Sequence, residues 1–326
     1  MGELEELAYF EKSRTKILEN IRKKIVGQTD IVDELLIAIF AGGHVLLTGV
    51  PGLAKTLMIT TLARSMDLVF RRIQFTPDLM PSDIIGTEIL ENNRTTGEKE
   101  LKFIKGPVFS NIVLADEINR TPPKTQSALL QAMQEKEVSV GSTTFKLQEP
   151  FFVMATRNPI EQEGTYPLPE AQLDRFLFNL VMDYPDLGSE IEIVEKTGSE
   201  ENETVEKVLD SDEIIKCRGL IKKIPVTRAI VEYAVSLVRA SRPEDTSASE
   251  FIKGSVSWGA GPRAGQNIIT AAKISAVFNG RKTPDYEDVN RVAKPVLRHR
   301  IIPNFRAEAE GIDPDIIIDR IIKEAR

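Results

Sequence analysis

The sequence has one cysteine, Cys217, and two histidines, His44 and His299, which lie far apart along the chain. A single cysteine excludes an internal disulfide, and so few sulfur and imidazole ligands argue against a structural zinc site. No apolar run reaches the roughly 18 residues that a membrane-spanning helix needs, and residues 1–11 are acidic and polar, unlike a signal peptide. We therefore expect a protein without a membrane span, located in the cytoplasm.

A basic surplus is also missing. The 326 residues include 42 Lys and Arg against 49 Asp and Glu, which gives a formal net charge of −7. Proteins whose main partner is DNA or RNA usually carry positive charge, so this balance disfavours nucleic acid as a partner. The rest of the composition, 41% hydrophobic and 28% charged, is ordinary for a globular protein, and the length suffices for two domains.

Glycine and proline concentrate in a turn at residues 49–56, which carries the strongest functional signal. An apolar run at 45–48 predicts a buried strand, and the residues from Leu57 onward have helical character. A strand, a Gly-rich turn ending in Lys55 and Thr56, and a helix form a phosphate-binding loop. Backbone N–H groups of such a loop face an anion, the lysine adds a positive charge, and the threonine hydroxyl is a ligand for Mg²⁺. The turn therefore predicts nucleotide binding.

One position departs from the general pattern of such loops, which has glycine where this chain has Ala54. Alanine fits the loop if its φ angle is negative and is strained if φ is positive. A turn that merely happens to contain glycine and proline, with no ligand, is the alternative interpretation of this segment.

Polar residues follow two further apolar segments that predict buried strands. Asp116 and Glu117 follow residues 111–115, and Asn158 follows shortly after residues 151–156. Ligands of α/β sheets bind at the carboxyl ends of the strands, so Asp116 is a candidate Mg²⁺ ligand and Glu117 a candidate base that deprotonates a water molecule. The Asn158 amide is placed to hold that water. A solvated acidic pair, and an Asn turn before the next proline, are the alternatives.

The alternation of apolar strands with helices over residues 1–185 predicts an α/β domain with a parallel five-stranded sheet and helices on both faces. Residues 186–326 show helical periodicity only, which predicts a small all-helical second domain. The first domain also contains two predicted hairpins, at 87–103 within an insertion at 77–104, and at 138–147. The insertion is either an element that contacts client proteins or a solvated surface hairpin.

The order of these motifs resembles that of the AAA+ ATPases, and four segments are similar to the MoxR family within them. The segments are Glu-Ile-Asn-Arg-Thr-Pro-Pro-Lys at 117–124, Met-Gln-Glu at 133–135, Ala-Thr-Arg-Asn-Pro at 155–159 and Leu-Pro-Glu-Ala-Gln-Leu-Asp-Arg-Phe at 168–176. The resemblance covers nearly the whole chain. It implies an AAA+ core that carries the insertion at 77–104 and is followed by a helical lid. Alanine at position 54 is usual in these relatives.

The resemblance also implies a role for each matching residue. It implies Glu117 as the catalytic base and Asn158 as the first sensor of the γ-phosphate, with Thr56 and Asp116 as Mg²⁺ ligands. Arg175 is implied as an arginine finger for a neighbouring subunit, and Arg263 as a second sensor that reaches back from the lid to the γ-phosphate. The implied nucleotide-binding residues, with a turn beside the adenine at 26–28, are Val26, Gly27, Gln28, Gly49, Val50, Pro51, Gly52, Leu53, Ala54, Lys55, Thr56, Leu57 and Asp116.

Two of these roles have structural alternatives, and two positions differ from the usual family residues. The alternative for Arg175 is a surface salt bridge with Asp174 or Glu170, and the alternative for Arg263 is a solvated arginine at a helix start. Arg157 stands where the relatives mostly carry Gln, which adds a charge near the site. Gly261 stands where they often carry Ser, so a helix-capping hydroxyl is absent.

The implied function is Mg²⁺-dependent hydrolysis of ATP by a ring oligomer, most simply a hexamer. The ring would remodel protein clients or mature protein complexes, and a protein with a von Willebrand A domain is one implied partner. A slowly hydrolysing, nucleotide-gated binding scaffold uses the same residues and is the second hypothesis. A nucleic-acid motor is the third, which the acidic balance disfavours.

Overall fold

The computed structural model describes residues 3–92, 99–159, 164–196 and 204–325. Strands and helices alternate up to residue 182, and the rest is almost entirely helical. The first part contains α1 (Glu3–Lys24), α2 (Thr29–Ala41), β1 (Val45–Gly49), α3 (Lys55–Ser65), β2 (Phe70–Gln74), α4 (Pro81–Ile85), β3 (Gly86–Asn92), β4 (Lys99–Lys105), β5 (Ile112–Asp116), α5 (Pro123–Glu135), β6 (Glu137–Val140), β7 (Thr143–Lys146), β8 (Phe152–Arg157), α6 (Glu170–Leu173) and β9 (Phe178–Met182). The second part contains α7 (Leu187–Lys196), α8 (Ser211–Lys223), α9 (Arg228–Ala240), α10 (Glu250–Ser255), β10 (Val256–Trp258), α11 (Pro262–Phe278), α12 (Tyr286–Leu297), β11 (Ile302–Pro303), α13 (Phe305–Ala309) and α14 (Pro314–Glu324). Among the described helices, none combines the length and the apolar character needed to cross a bilayer.

Five parallel strands form the central sheet, in the order β2-β5-β8-β1-β9. The strands β5 and β8 are buried along nearly their whole length, as expected for a sheet covered by helices on both faces. Because the strands are parallel, the phosphate-binding turn after β1, the acidic pair at the end of β5 and Asn158 after β8 all lie at the carboxyl edge. The predicted five-stranded α/β core is confirmed.

Apolar layers cover both faces of the sheet. On one face, Leu46 packs in a cluster with residues of α4 and α5. On the other face, Val45 and Leu47 pack with α1, α2 and α3, and this layer continues into α8, α9, α11 and α12. Phe40 of α2 meets Phe278 of α11 edge to face, at a ring-centroid distance of 5.6 Å. The helical second part is thus packed onto the sheet domain through α1 and α2.

The helical second part also contains a short β-ladder that the sequence did not predict. β10 pairs antiparallel with β11. Strands of three and two residues are too short to show an alternation of apolar and polar side chains, so periodicity detects only the helices around them. The prediction of an all-helical second domain is corrected by this ladder, whereas a helical lid following the α/β core is confirmed.

Both predicted hairpins are present, and they touch each other. β3 pairs antiparallel with β4, and β6 pairs antiparallel with β7. Phe103 of β4 stacks on Phe145 of β7 with a ring-centroid distance of 4.4 Å. Leu90 and Leu101 of the first hairpin are 59% and 68% exposed, so this hairpin presents apolar side chains to solvent. Its predicted polar tip, residues 93–98, lies outside the described residues.

His44, directly before β1, is buried and joins three elements. The Val153 N–H donates to its Nδ1 at 3.0 Å, and its Nε2 donates to the Met133 carbonyl oxygen at 3.1 Å. These two bonds require a neutral ring with its proton on Nε2. Burial lowers the pKa of His44 to about 4.

We expect this histidine to make the fold acid-sensitive. Between pH 6.5 and about pH 4, the unfolded chain binds a proton at His44 and the folded chain does not, so stability falls as the pH falls through this window and levels off below it. The loss is about 3 kcal/mol. Urea unfolding at about pH 7 and about pH 4.5 should show a larger loss for the wild type than for His44→Gln. The variant keeps the contributions of the other groups with shifted pKa values, among them buried His299, whose pKa is also lowered, and Glu34, whose pKa burial raises to about 7 and which acts in the opposite direction. Equal losses would contradict this role.

Candidate functional site

The loop between β1 and α3 bends tightly around the carboxyl end of β1. Gly49 is required there because a Cβ atom would lie 2.7 Å from the Met182 carbonyl oxygen of β9. Gly52 has a φ angle of +88°, which other side chains disfavour. Lys55 turns back so that its Nζ donates to the Gly49 carbonyl oxygen at 2.5 Å. Burial lowers the pKa of Lys55, and the nearby carboxylates act in the opposite direction. The loop thus sets an ammonium group beside the free N–H groups of a helix start, an arrangement that binds anions.

Ala54 adopts the left-handed backbone conformation, with φ 54° and ψ 24°, just before α3. The sequence allowed either sign of φ at this position, and the structure has the strained one. A residue other than glycine in this conformation costs roughly 1–2 kcal/mol. Alanine therefore preserves the shape of the loop at a cost in stability.

We expect Ala54→Gly to raise the free energy of unfolding by up to about 1 kcal/mol, because glycine adopts positive φ without strain. Nucleotide affinity should change little, since the backbone path is the same. Ala63→Gly, at a buried position within α3, is the matched control and should destabilise the protein by about 1 kcal/mol or more. Urea denaturation measures both. A clear loss of stability in Ala54→Gly would show that alanine is not strained there.

The Thr156 hydroxyl, on β8, links the two acidic residues at the end of β5. It donates to Asp116 Oδ1 at 2.6 Å and accepts from the Glu117 backbone N–H at 2.9 Å. Glu117 is held in the left-handed conformation, with φ 57° and ψ 49°. Strained backbone of this kind clusters at functional sites. One hydroxyl therefore fixes both acids relative to the neighbouring strand.

Neighbouring side chains also donate hydrogen bonds to the carboxylates of Asp116 and Glu117. Arg72 donates to Asp116 Oδ2 at 2.6 Å, and Gln74 Nε2 donates to Glu117 Oε2 at 2.9 Å. Arg120, in the 3₁₀ turn Ile118–Arg120, also donates to Glu117 Oε2, at 3.1 Å. The Arg72 side chain is 48% exposed, and an exposed ion pair of this kind contributes little stability. Asp116 can therefore exchange this partner for a cation at small cost.

A cleft of about 590 Å³ brings most of the predicted nucleotide-binding residues together, and its size suits a nucleotide. Some of the residues that line it were not identified from the sequence. The predicted residues that line the cleft are Gly49, residues 51–57, Asp116, Glu117 and Asn158. The other lining residues are Arg72, Gln74, Thr156 and Arg157. Arg72 and Gln74 lie on β2, next to the strand of the acidic pair. Their position follows from strand order, which no local motif reveals.

Arg157 lies at the wall of this cleft. Its Nε donates to the Thr48 hydroxyl at 2.7 Å, and burial lowers the pKa of its guanidinium. The group remains charged because an arginine pKa is far above neutrality. The additional positive charge expected from the sequence is therefore at the site itself.

The turn at residues 26–28 lies near the same edge of the sheet without lining the cleft. Gln28 Nε2 donates to the carbonyl oxygen of Asp183, directly after β9, at 3.2 Å. Both Gly27 and Gln28 have positive φ angles, 71° and 57°. Val50, the remaining residue of the predicted loop set, does not line the cleft either. The turn at 26–28 thus lies beside the end of β9, which pairs with β1. Its implied contact with an adenine stays a prediction.

Arg175 lies at the opposite edge of the sheet from the cleft. It precedes β9, and nearby Leu177 N donates to the carbonyl oxygen of His44, directly before β1, at 2.7 Å. The five residues of β1 separate the two edges by roughly 16 Å, whereas an extended arginine side chain reaches roughly 7 Å. Arg175 therefore cannot reach the phosphate loop of its own chain. Within the described residues, the Arg175 side chain makes no hydrogen bond or salt bridge, so the alternative of a salt bridge with Asp174 or Glu170 is not seen, and Asp174 pairs with Arg263 and Arg300 instead.

Arg263, at the start of α11, lies beside Arg175 rather than beside the phosphate loop. Its Nη1 is 3.1 Å from Asp174 Oδ2, and both arginines line a second cavity of about 280 Å³ at the amino edge of the sheet. The expectation that Arg263 reaches back to the γ-phosphate of its own chain is therefore corrected. Helix α11 packs onto α2 and α9, and this packing places Arg263 at the amino edge of the sheet.

The residues at the cleft fit a cation that arrives with a nucleotide. Thr56 and Asp116 supply a hydroxyl and a carboxylate, hard oxygen ligands of the kind that Mg²⁺ prefers, and both line the cleft. Among the described residues, no group of three or more His, Cys, Asp or Glu side chains is arranged to hold a metal. Two protein ligands match Mg²⁺ that keeps waters and shares phosphate oxygens.

Two family models match the chain. The model described as "ATPase family associated with various cellular activities (AAA)" matches residues 44–178, and "AAA lid domain" matches residues 249–321. The first match contains the cleft, and the second contains Arg263.

Relatives match over nearly the full length. "Chaperone MoxR1" of Mycobacterium tuberculosis is 43% identical over 322 residues, which cover 99% of this chain and 84% of that protein. "Protein MoxR" of Methylorubrum extorquens is 32% identical over 320 residues, which cover 91% of this chain and 90% of that protein. A crystal structure of a candidate ATPase from Cytophaga hutchinsonii superposes with a TM-score of 0.90 at 46% identity, covering 98% of this chain and 96% of that one.

Proposed function

The chain belongs to the MoxR family of AAA+ ATPases, and on that premise we propose that it hydrolyses ATP with Mg²⁺ as a ring oligomer that remodels client proteins. The observation that carries this proposal is the separation of the site into two halves. The phosphate loop and the acidic pair lie at the carboxyl edge of the sheet, and Arg175 lies at the amino edge. A second copy of the chain is needed to join them.

At the carboxyl edge, each residue would have a separate task. The loop N–H groups and Lys55 would hold the β- and γ-phosphates, and Mg²⁺, held by Thr56 and Asp116, would supply further charge neutralisation there. Glu117 would accept a proton from water as the water oxygen bonds to the γ-phosphorus. The bond from that phosphorus to the bridging oxygen breaks, which leaves ADP and phosphate. Asn158 would orient the attacking water.

The amino edge of a neighbouring copy would complete the site. Arg175 would stabilise the charge that develops on the γ-phosphoryl group, and Arg263, which shares its cavity, would act from the same face. Arg263 would then sense the γ-phosphate of the neighbour rather than that of its own chain. Both arginines line this cavity, and Asp174, the carboxylate that pairs with Arg263, is shared with Arg300.

An ATPase assay over a range of protein concentrations tests the proposal. Turnover per subunit should rise with concentration in parallel with the oligomer fraction measured by analytical ultracentrifugation, and EDTA should abolish it. A fully active monomer would refute assembly of the site between subunits. No hydrolysis by the assembled ring, with ATP bound, would favour the slowly hydrolysing scaffold.

The clients would be proteins in the cytoplasm. The name of the chaperone relative and the exposed apolar residues of the β3–β4 hairpin support a client-binding role, and a partner with a von Willebrand A domain is a further proposal. The net charge of −7 speaks against the nucleic-acid motor. Stimulation of turnover by DNA, with no effect of unfolded protein, would favour that motor instead.

A further inference from the structure

A buried arginine of the lid, Arg300, holds the backbone on both sides of Arg175. Its guanidinium donates to the carbonyl oxygens of Asp174, Phe176 and Leu177, at 3.1, 2.7 and 3.3 Å. It also donates to the carbonyl oxygen of Val296, in α12. Only 3% of the Arg300 side chain is exposed. One rigid group therefore connects the lid to the segment that carries the predicted finger.

The same arginine shares a carboxylate with Arg263. Arg300 Nε donates to Asp174 Oδ1 at 2.7 Å, and Arg263 Nη1 is 3.1 Å from Asp174 Oδ2. Burial lowers the pKa of Arg300, and the Asp174 carboxylate acts in the opposite direction. Burying a charge is expensive unless it is paired and its donors are satisfied, and Arg300 meets both conditions. Replacing it would remove one donor from each of these carbonyl groups.

The segment has few other restraints on these carbonyl groups. It joins α6 to β9, and its N–H groups bond to Gln172, Leu173 and His44, whereas the carbonyls of 174, 176 and 177 receive bonds from the lid. His299, next to Arg300, adds a second bond to the Phe176 carbonyl, from Nε2 at 3.1 Å. The Arg175 side chain has no partner among the described residues. Its direction therefore depends on how this backbone is held.

We propose that Arg300 is a positioning residue for Arg175 and transmits movements of the lid to the arginine finger. The inference rests on the proposed function, because it presumes that Arg175 acts on the nucleotide of a neighbouring subunit. A lid that shifts with the nucleotide state of its own chain would then move the finger at the next site. The phosphate loop lies at the other edge of the sheet and should not sense the replacement of Arg300.

Kinetics of Arg300→Gln and Arg300→Lys test the proposal. Arg300→Gln should bind an ATP analogue with wild-type affinity and lose ~10–100-fold in kcat, because a misplacement of about 1 Å costs about that much. Arg300→Lys, which keeps the charge but cannot reach several carbonyls at once, should recover part of the rate. Arg281→Gln is the control, since this lid arginine pairs with buried Asp288 and does not touch residues 174–177. Arg281→Gln should keep the wild-type kcat even though its loss of thermal stability is comparable to that of Arg300→Gln.

Mixing subunits separates positioning from general damage. Arg300→Gln mixed with Glu117→Gln should regain activity, because the first variant has an intact base and the second an intact finger. Arg300→Gln mixed with Arg175→Ala should be no more active than its two components measured separately. If Arg175→Ala is inactive alone but both Arg300 variants keep the wild-type kcat, positioning by Arg300 is refuted and the proposed function stands. If Arg175→Ala is fully active, the proposed function fails first. Should Arg300→Gln not fold, Arg300→Lys carries the same comparison.

Discussion

Glu117→Gln should bind ATP with wild-type affinity and hydrolyse it ~10²–10⁴-fold more slowly, because an amide cannot accept the proton of the attacking water. The change is nearly isosteric. Gln74 and Arg120 both donate to the Glu117 carboxylate, and the amide oxygen of the variant can accept in its place. Single-turnover hydrolysis and equilibrium binding of a fluorescent ATP analogue measure the two effects separately.

Glu135→Gln is the matched control for this change. Glu135 is exposed at the end of α5, and the same chemical change there should leave both measurements as in the wild type. If Glu117→Gln kept its single-turnover rate, another group would have to accept the proton.

Arg175→Ala should reduce kcat by ~10³–10⁵-fold, the loss typical of removing an arginine finger. ATP affinity should change far less, because Arg175 lies roughly 16 Å from the phosphate loop of its own chain. The kcat of Arg175→Lys should remain well below that of the wild type, because an ammonium group lacks the planar set of N–H donors of a guanidinium group. Steady-state kcat and KM, measured on assembled protein, provide the comparison.

Arg228→Ala removes an exposed arginine from the start of α9, where Arg228 pairs with Glu232, and is the control for Arg175→Ala. It should keep the wild-type kcat. Loss of assembly in Arg175→Ala would have to be excluded by sedimentation, because an arginine at a subunit contact can also hold the ring together. An assembled Arg175→Ala protein with normal turnover would show that the residue is not a finger.

The sequence predicted the parts of the site that are contiguous in the chain. The turn after β1 and the acidic pair after β5 are each defined by a strand and the polar residues that follow it, so local patterns suffice. The Thr156 bridge between Asp116 and Glu117 could not be predicted in this way. It depends on the order β5-β8 within the sheet and on the register of that pair, which act across about 40 residues of chain.

The sequence also did not predict where the lid packs on the sheet domain. Helical periodicity predicts α11 and α12 but contains no information on where they pack. The contact of Arg263 with the γ-phosphate of its own chain was implied by the family resemblance alone. The packing of these helices onto α2 and β9 takes Arg263 to Asp174 instead. Arg300 had no sequence signal, because its partners are mainly backbone carbonyls, which any residue carries. The sign of φ at Ala54 likewise required the folded loop.

The central claim is that the active site is completed between two copies of the chain. The most direct measurement is the ATPase activity of an equimolar mixture of Arg175→Ala and Glu117→Gln, assembled together. Each variant alone should be nearly inactive. In random mixed rings about one quarter of the sites combine an intact Glu117 with an intact neighbouring Arg175, so the mixture should recover about a quarter of the wild-type rate. A mixture no more active than its two components would contradict a site shared between subunits.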